Sequence, residues 1–277
     1  MRRPTHMIGM LMVYAILLLT VVTTLLPLVW MITTSIKTPG EVFVYPPKWI
    51  PTEFAWSNYT TAWEMAPWNT YFFNTALYTA STVIGVLITS VASGYAFSKL
   101  EFKGRKTLFL AYIGTMMVPS QVTIIPVFII LSQMNWVDTY SGLIIPGLTS
   151  AFGCFLMRQF ITGIPTELIE SGLIEGGGHM RILASIVTPL LKPAVATLGI
   201  FTFMGTWNNF FWPLIVTNSD ELRTVQVGLS SFQNQYGDGD WGAMMAAATM
   251  VSAPVLILFL VAQRYFIEGI AMTGIKG

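Results

Sequence analysis

IGMLMVYAILLLTVVTTLLPLVWMI, residues 8–32, is a run of 25 residues that contains no Asp, Glu, Lys or Arg. A helix of about 20 mostly apolar residues is long enough to cross the hydrocarbon core of a bilayer. Lipid offers no hydrogen-bond partner, so the backbone amides of such a segment must be paired within the segment, as they are in an α-helix. The run is therefore predicted to form a membrane-spanning helix.

The basic residues Arg2 and Arg3 ahead of this run resemble the leader of a cleaved signal peptide. The apolar part of a signal peptide, however, usually has about 7–15 residues and is followed by a small-x-small cleavage site. The run in this chain is longer, and no such site follows it. We therefore expect an uncleaved signal anchor.

Five further charge-free stretches repeat this pattern. They lie between Glu64 and Lys99, between Lys106 and Asp138, and at residues 139–157, 193–219 and 241–263. Only 10% of the 277 residues are charged and 54% are hydrophobic, whereas a soluble domain has about 25% charged residues. The sequence thus predicts an all-α membrane protein with six transmembrane helices. Prolines within the stretches predict kinks, and they are Pro27, Pro119, Pro126, Pro146, Pro213 and Pro254.

The basic residues predict the orientation, because Lys and Arg concentrate in cytoplasmic loops. With the N-terminus inside, eleven of the 14 basic residues are cytoplasmic: Arg2, Arg3, Lys99, Lys103, Arg105, Lys106, Arg158, Arg181, Lys192, Arg264 and Lys276. Both termini are then cytoplasmic. The external face carries a Trp- and Pro-rich loop at residues 37–70 and a polar loop at residues 218–240. The aromatic residues of the first loop fit a membrane-interface belt as well as a ligand-binding role.

The lack of charge argues against two other classes of membrane protein. An ion-coupled secondary transporter usually places ionisable residues within the membrane, and the six stretches have none. A membrane-embedded enzyme needs a catalytic set at membrane depth, but Cys154 is the only cysteine, and His6 and His179 lie outside the stretches. The same scarcity of ligands predicts no metal site. Since the sequence has no GxxxxGK[ST] phosphate-binding loop, we expect the chain neither to bind nor to hydrolyse ATP.

One cytoplasmic loop does not suit a lipid surface. Residues 164–193 read IPTELIESGLIEGGGHMRILASIVTPLLKP and begin acidic, whereas a segment lying on the anionic inner leaflet should be basic. Four apolar residues have spacings compatible with one helical face, and they are Leu168, Ile169, Leu173 and Ile174. We expect a short helix that fits a groove on a basic protein partner, with an ordinary solvated loop as the alternative. The glycines at 176–178 should end this helix, and a second helix should start near Met180 and run into the fifth stretch.

These residues resemble the EAA motif in the membrane subunits of bacterial ABC importers. The motif has a Glu, two small residues, an acidic residue and a glycine five and six positions after the Glu, and a later proline. The matching residues are Glu170, Ser171, Gly172, Glu175, Gly176 and Pro189. Three of them depart from the commonest Ala, Ala and Asp but keep the properties small, small and acidic. Gly in place of Ala weakens a helix by about 1 kcal/mol, so a less rigid coupling helix is expected.

Other stretches extend the resemblance over nearly the whole chain: PPKWIP followed by Asn58 and Tyr59, GYAFSKLEFKGR, MVPSQVTIIPVF, DTYSGLIIPGL, FLMRQF, TWNNFFWPLIV and YFIEGIAMTGIKG. In order and spacing they are similar to the carbohydrate-importer branch, and to the smaller membrane subunit of the maltose transporter. The resemblance implies the type I ABC importer permease fold in a bacterial inner or plasma membrane. It implies an N-terminal helix and external loop at 1–70, a core at 71–264 with the EAA coupling loop at 165–193, and a cytoplasmic tail at 265–277.

The resemblance also implies a complex. Its other members are a second related permease subunit, two ATP-binding subunits that hold ATP and Mg²⁺, and an extracytoplasmic solute-binding protein. The expected cargo is a di- or oligosaccharide, or else a glycerol-phosphate-type or other non-sugar solute. This chain would bind no cofactor itself. The loop that seats in the ATPase would use Glu167, Glu170, Ser171, Gly172, Glu175, Gly176, Arg181 and Pro189.

Candidate substrate contacts combine amide and aromatic side chains, because sugars hydrogen-bond through their hydroxyls and stack on aromatic rings. These candidates are Asn74, Trp207, Asn208, Asn209 and Trp212. Hydrogen bonding between helices is the alternative role for them. The position of the second external loop in the family implies contacts to the binding protein by Gln233, Asn234, Gln235 and Tyr236. His179, beside the glycines, is expected to be a polar surface residue rather than a ligand.

Overall fold

The computed structural model describes residues 4–236 and 239–271, with the side chains of residues 9–235 and 239–263. Fifteen α-helices and no strand occur in these residues, which confirms the all-α fold. The helices are α1 Pro4–Thr34, α2 Pro39–Val42, α3 Ser57–Glu64, α4 Trp68–Lys99, α5 Arg105–Gly114, α6 Ser120–Gln133, α7 Tyr140–Ile144, α8 Ala151–Thr162, α9 Thr166–Ile174, α10 His179–Ile182, α11 Thr188–Leu190, α12 Lys192–Trp207, α13 Phe211–Val216, α14 Val225–Tyr236 and α15 Trp241–Ala271. Short 3₁₀ turns occupy Thr115–Met117, Ile145–Gly147 and Asp220–Leu222, and a π-helical turn occupies Leu183–Val187.

The chain forms two compact units. One contains Met1–Trp68 and Gly228–Pro254, and the other contains Asn69–Val227 and Val255–Gly277. The predicted division at residues 70 and 264 stays a prediction, and residues 272–277 of the predicted tail lie outside the described residues.

Four helical segments are individually long and apolar enough to cross a membrane: Gly9–Thr34, Trp68–Lys99, Tyr140–Thr162 and Trp241–Gln263. Two bent pairs reach the same length and hydropathy together, and they are Arg105–Met117 with Ser120–Gln133 and His179–Leu190 with Lys192–Trp207. If each pair is one span, the count is six, as predicted, but the second pair begins at His179 and overlaps the fifth charge-free stretch only at residues 193–207. The cytoplasmic location expected for both termini stays a prediction.

The third charge-free stretch is not one continuous helix, because its two halves meet at 102°. The break falls at Val118 and Pro119. Val118 adopts an extended backbone with φ −85° and ψ 118°, which is the conformation that the ring of a following proline imposes. Pro27, Pro126 and Pro254, by contrast, lie inside α1, α6 and α15. The proline that breaks this stretch is therefore Pro119, which directly precedes α6.

The expectation of one helix running from Met180 into the fifth stretch is wrong, since the chain bends by 84° between Leu190 and Lys192. In a continuous helix the amide of residue 193 would donate to the carbonyl of residue 189. Pro193 has no amide hydrogen, and Pro189 lacks one as well, so the ladder is broken at this point. The fifth stretch is also shorter than predicted, because α12 ends at Trp207 and a separate short helix, α13, follows.

The polar segment predicted as a loop at residues 218–240 is mostly the helix α14. Val225 and Phe232 are buried, seven residues apart, and Gly228 lies between them on the same helical face. This i, i+3, i+7 spacing is the signal of an amphipathic helix, and the polar residues around it obscured the pattern.

The Trp- and Pro-rich loop that follows α1 is tied to the end of that helix. The Asn58 side chain donates to the carbonyl oxygens of Ser35 (3.0 Å) and Lys37 (2.9 Å), and the Tyr59 hydroxyl lies 2.8 Å from Ser35 Oγ. Trp49 packs edge-on against Trp30, with ring centroids 5.3 Å apart. The Asn-Tyr pair that the sequence singled out therefore fixes the exit of the chain from its first span.

Glu41 cross-links the exposed part of this loop through hydrogen bonds. Its carboxylate accepts hydrogen bonds from the Thr52 amide at 3.1 Å and from the Lys48 ammonium at 3.0 Å. A hydrogen bond from the Thr52 side chain has the largest effect, and together with those from Lys48 and the Thr52 amide it lowers the pKa of Glu41 from 4.5 to about 2. Since the folded pKa lies below the ordinary value, the stabilisation is complete above pH 4.5 and is lost as the pH falls towards 2.

We expect hydrogen exchange of the Thr52 amide, corrected for its intrinsic pH dependence, to stay slow at pH 5–7 and to accelerate as the pH approaches 2. Glu41→Gln removes the charge and should give faster exchange with no such transition. Glu53→Gln removes a nearby exposed carboxylate and serves as the control. A transition near pH 4.5 or higher in the native chain would contradict the assignment.

Candidate functional site

The helix α9, Thr166–Ile174, ends in a motif that requires a glycine. The Gly177 amide donates to the Gly172 carbonyl (2.9 Å), and the Gly176 amide donates to the Leu173 carbonyl (3.0 Å). These two bonds form a Schellman motif, in which the residue after the helix cap takes a left-handed conformation. Gly176 does so with φ +81°. The predicted helix and its glycine end are thus confirmed.

The small residues of the EAA-like run have different surroundings. Gly172 is buried, and a Cβ at this position would lie 3.0 Å from Ile186 Cδ1 and 3.1 Å from Ile182 Cγ1. Ser171 is exposed, and its hydroxyl bonds back to the Leu168 carbonyl at 3.1 Å. The close approach of α9 to the following helical segment therefore needs a small side chain at residue 172, whereas residue 171 is free of this constraint.

The four apolar residues of α9 do not share one face, which corrects the expected stripe. Ile169 is buried in a core cluster that includes Tyr95, Met157 and Ile182. The other three are exposed, and Ile174 is 87% exposed. Met180, beyond the glycines, is 78% exposed. Only Ile169 of these four residues is buried in the core, and the segment presents an apolar surface consisting of Leu168, Leu173, Ile174 and Met180.

The charged residues predicted to act with α9 are all solvent-facing. Glu167, Glu170, Glu175 and Arg181 are exposed, as is Pro189. No ion pair joins any of these four charged residues to another described residue. The structure thus brings an apolar surface and an acidic rim together on the segment that the sequence indicated.

The side chain of Asn74 forms hydrogen bonds to distant parts of the chain. It is fully buried, and its amide donates to the carbonyl oxygens of Glu221 (2.7 Å) and Arg223 (2.9 Å). Its side-chain oxygen accepts from the Tyr140 hydroxyl at 2.6 Å. Both donors and the acceptor are occupied, so Asn74 ties α4 to the segment before α14. Of the two roles left open by the sequence, hydrogen bonding between elements is the one that this geometry favours.

Trp207 and Asn208 lie at the end of α12 and line neither of two cavities that their neighbour Asn209 lines. Trp207 is buried and stacks on Phe203, with ring centroids 5.5 Å apart. The Asn208 amide donates to the Met204 carbonyl at 2.9 Å, and its oxygen accepts from Gln226 at 3.3 Å. These two residues therefore shape the helix end.

Asn209 and Trp212 do line a cavity, whose volume is about 340 Å³. Its polar wall consists of Tyr78, Ser120, Gln121, Thr123 and Asn209, and its aromatic wall of Phe211 and Trp212. The Asn209 amide points to the Tyr78 hydroxyl (3.3 Å), and its oxygen caps α13 at the Trp212 amide (3.3 Å).

A second cavity of about 360 Å³ shares Tyr78, Gly147 and Asn209 with the first. Hydroxyl side chains dominate its polar wall, namely Thr82, Thr149, Ser150, Thr202 and Thr206. The Thr82 hydroxyl is buried and has no hydrogen-bond partner among the described residues. A buried hydroxyl normally has a partner, so the hydrogen-bonding capacity of Thr82, a residue of the cavity lining, is unused within the described part of the chain.

Several residues that line the two cavities were not predicted from the sequence. Tyr78 and Thr82 lie one turn apart on α4, and Ser120, Gln121 and Thr123 begin α6. The cluster of three polar residues in a charge-free stretch was a usable signal, within the MVPSQVTIIPVF motif. Tyr78 and Thr82 gave no comparable signal in the sequence, since both residue types are common in spanning helices.

The candidates for contact with a binding protein lie on α14. Gln233, Asn234 and Gln235 are exposed at its C-terminal end. The side chain of Tyr236 lies outside the described residues. These amides form a polar surface on a helix rather than on the loop that was expected.

Comparison with known proteins decides the family. Residues 81–271 match the family described as "Binding-protein-dependent transport system inner membrane component". The chain belongs to this family. It is a multi-pass inner-membrane permease, as the charge-free stretches and the EAA-like loop predicted.

Individual relatives agree with this assignment. The chain is 35% identical over 207 residues to the arabinooligosaccharides transport system permease protein AraQ of Bacillus subtilis (strain 168), covering 75% of this chain and 73% of the relative. It is 32% identical over 237 residues to the sn-glycerol-3-phosphate transport system permease protein UgpE of Yersinia enterocolitica, covering 83% and 84%. The fold matches a crystal structure of a bacterial ABC transporter involved in alginate import, with a TM-score of 0.87, 24% identity and coverage of 96% and 99%.

The left-handed Gly176 gives a matched pair of substitutions. A Cβ would meet nothing within 4 Å at either Gly176 or Gly178, but only Gly176 has a positive φ. A non-glycine residue in this conformation costs about 1–2 kcal/mol. Gly176→Ala should therefore open the end of α9 and make trypsin cleavage at Arg181 about fivefold faster or more in the purified protein. Gly178→Ala should leave the rate unchanged, and equal rates for both variants would refute the motif.

Proposed function

We propose that this chain is one of two permease subunits of a binding-protein-dependent ABC importer that carries a carbohydrate into the cytoplasm. ATP hydrolysis on two partner subunits, which hold ATP and Mg²⁺, drives the transport, and this chain binds no cofactor itself. An extracytoplasmic solute-binding protein delivers the cargo. Both termini are cytoplasmic, because this orientation places eleven of the 14 basic residues inside.

The observation that carries the proposal is the exposed apolar surface of α9 with its acidic rim. Leu168, Leu173 and Ile174 would be costly to leave in water, and such patches are typical of surfaces that bind another protein. Exposed carboxylates at Glu170 and Glu175 give the rim a negative charge, which disfavours an anionic lipid surface. A cleft on the cytoplasmic ATPase subunit is the partner that fits both properties.

The two cavities support a carbohydrate as the cargo. A pocket that takes a small molecule combines apolar walls with a few placed polar groups. Here amide and hydroxyl side chains, with those of Asn209 and Thr82 among them, line the cavities and would pair with sugar hydroxyls, and Trp212 would offer an aromatic face. The arabinooligosaccharide relative is consistent with this cargo, and the glycerol-phosphate relative makes a phosphorylated polyol the second candidate.

The coupling role of α9 is tested by reversing one charge on its rim. Glu170→Lys should abolish uptake and release the ATPase subunits from the purified complex, while the permease still inserts in the membrane. Glu101→Lys is the control, because Glu101 is an exposed carboxylate on the same predicted face but outside α9. Normal uptake and normal ATPase retention in the Glu170 variant would contradict the coupling role.

The cargo is tested through the unpartnered hydroxyl of Thr82. Thr82→Val keeps the shape of the side chain and removes one hydrogen bond to a sugar hydroxyl, which is worth about a two- to tenfold effect. We expect uptake of a radiolabelled arabinooligosaccharide by the reconstituted importer to fall by this factor. Thr79→Val is the matched control, since Thr79 is equally buried and unpartnered among the described residues but lines neither cavity. Transport of glycerol 3-phosphate, but of no sugar, would favour the second candidate.

A further inference from the structure

The C-terminal end of α4 contacts the start of the segment that contains α9, residues 164–179, which we call the coupling segment. The Lys99 ammonium donates to the Ile164 carbonyl at 2.6 Å and lies 3.4 Å from the Thr166 hydroxyl. Thr166 is the first residue of α9. A charged donor to a carbonyl is among the stronger hydrogen bonds in proteins. The entry to α9 is therefore fixed to the last residue of α4.

The same end of α4 also holds the exit of the coupling segment. The Tyr95 hydroxyl lies 2.9 Å from His179 Nδ1, and His179 is the first residue of α10, directly after the glycines. Tyr95 is only 3% exposed and belongs to the same core cluster as Ile169 and Ile182. His179 is thus not merely the polar surface residue that the sequence indicated, because it is joined to a buried side chain of a spanning helix.

The helix that makes both contacts also reaches the cavities. α4 is continuous from Trp68 to Lys99 and contains no proline, and it carries Tyr78 and Thr82 on the cavity walls. Tyr78 and Tyr95 are 17 residues apart, which corresponds to about 26 Å along an α-helix. One unbroken element therefore connects the coupling segment to the cavity residues.

We propose that Tyr95, Lys99 and His179 are positioning residues that clamp the chain to α4 on both sides of α9, so that movement of α9 displaces the cavity wall. This inference rests on the proposed function, in which α9 seats in the ATPase. A clamp at two points transmits both translation and rotation, whereas one contact would let α9 pivot. The bond from Tyr95 to His179 is the second point, and without it the ATPase and the cavity are coupled less tightly.

The test uses the complete importer in proteoliposomes, with basal ATP hydrolysis, ATP hydrolysis stimulated by the loaded binding protein, and sugar uptake measured together. Tyr95→Phe removes only the hydroxyl, and His179→Ala removes the imidazole that bonds to it. Each should lower the stimulated hydrolysis and the uptake about fivefold, the effect of one ordinary hydrogen bond. Basal hydrolysis and retention of the ATPase subunits should be unchanged. Tyr14→Phe, at an exposed position of α1, is the control for loss of a hydroxyl.

Two further variants separate transmission from simple loss of structure. His179→Asn places an amide group near the position of Nδ1, where it can accept a hydrogen bond from the Tyr95 hydroxyl or donate one to it, and should restore most of the stimulation. The double variant Tyr95→Phe with His179→Ala should be no worse than either single variant, since both remove the same bond. Native stimulation in both single variants, additive losses in the double variant, or loss of the ATPase subunits from the complex would overturn the clamp. Failure of the proposed function is distinguishable, because Glu170→Lys would then leave ATPase retention intact.

Discussion

Every peptide group at membrane depth needs a hydrogen-bond partner within the protein, and this requirement explains the position of several polar residues in the spans. At some helix starts, a side chain replaces the missing backbone partner. Ser150 caps α8 at the Gly153 amide (3.0 Å), and Asn209 caps α13 at the Trp212 amide (3.3 Å). Thr89 donates to the Leu148 carbonyl at 2.9 Å, in the segment that joins α7 to α8. The chain can therefore bend within the membrane without leaving these backbone groups unpaired.

The same requirement separates structural polar residues from those available to a ligand. Asn74 uses both donors and its acceptor on other parts of the chain. Asn209 holds α13 with its oxygen, while its amide faces the Tyr78 hydroxyl at the longer distance of 3.3 Å. Thr82 has no partner among the residues described. Residue type alone does not distinguish these three cases, and the number of occupied hydrogen-bonding positions does.

What the sequence could predict follows from the range of the interactions involved. Hydropathy and charge located the spans because the bilayer acts on each segment independently of the rest of the fold. The glycine end of α9 was also predictable, since a left-handed residue after a helix is a local property of the backbone. The bends at residues 118–119 and 190–192 had a local cause in proline, but the sequence alone did not show which prolines would break a helix and which would lie inside one.

The cavity walls and the contacts of α4 could not be read in the same way, because they depend on segments far apart in the chain. Tyr95 and His179 are 84 residues apart, and Asn74 and Arg223 are 149 residues apart. α14 was missed for a different reason, since its buried residues have helical spacing but are separated by polar ones. A residue of this protein is thus predictable when it acts through the local backbone, as Gly176 does at the end of α9, and not when it acts through a distant partner.

The close packing of α4 explains how a helix made of apolar and small residues can act as a mechanical link. A Cβ at Gly85 would lie 2.5 Å from Leu148 Cδ2, and one at Gly94 would lie 2.7 Å from Met157 Cβ. Glycine normally lowers helix stability by about 1 kcal/mol relative to alanine, so α4 loses intrinsic stiffness at these positions. It gains a backbone approach to the segment that includes α8, and a larger side chain would prevent this approach. Stiffness then resides in the packed pair rather than in α4 alone, because densely packed interiors deform little and transmit strain.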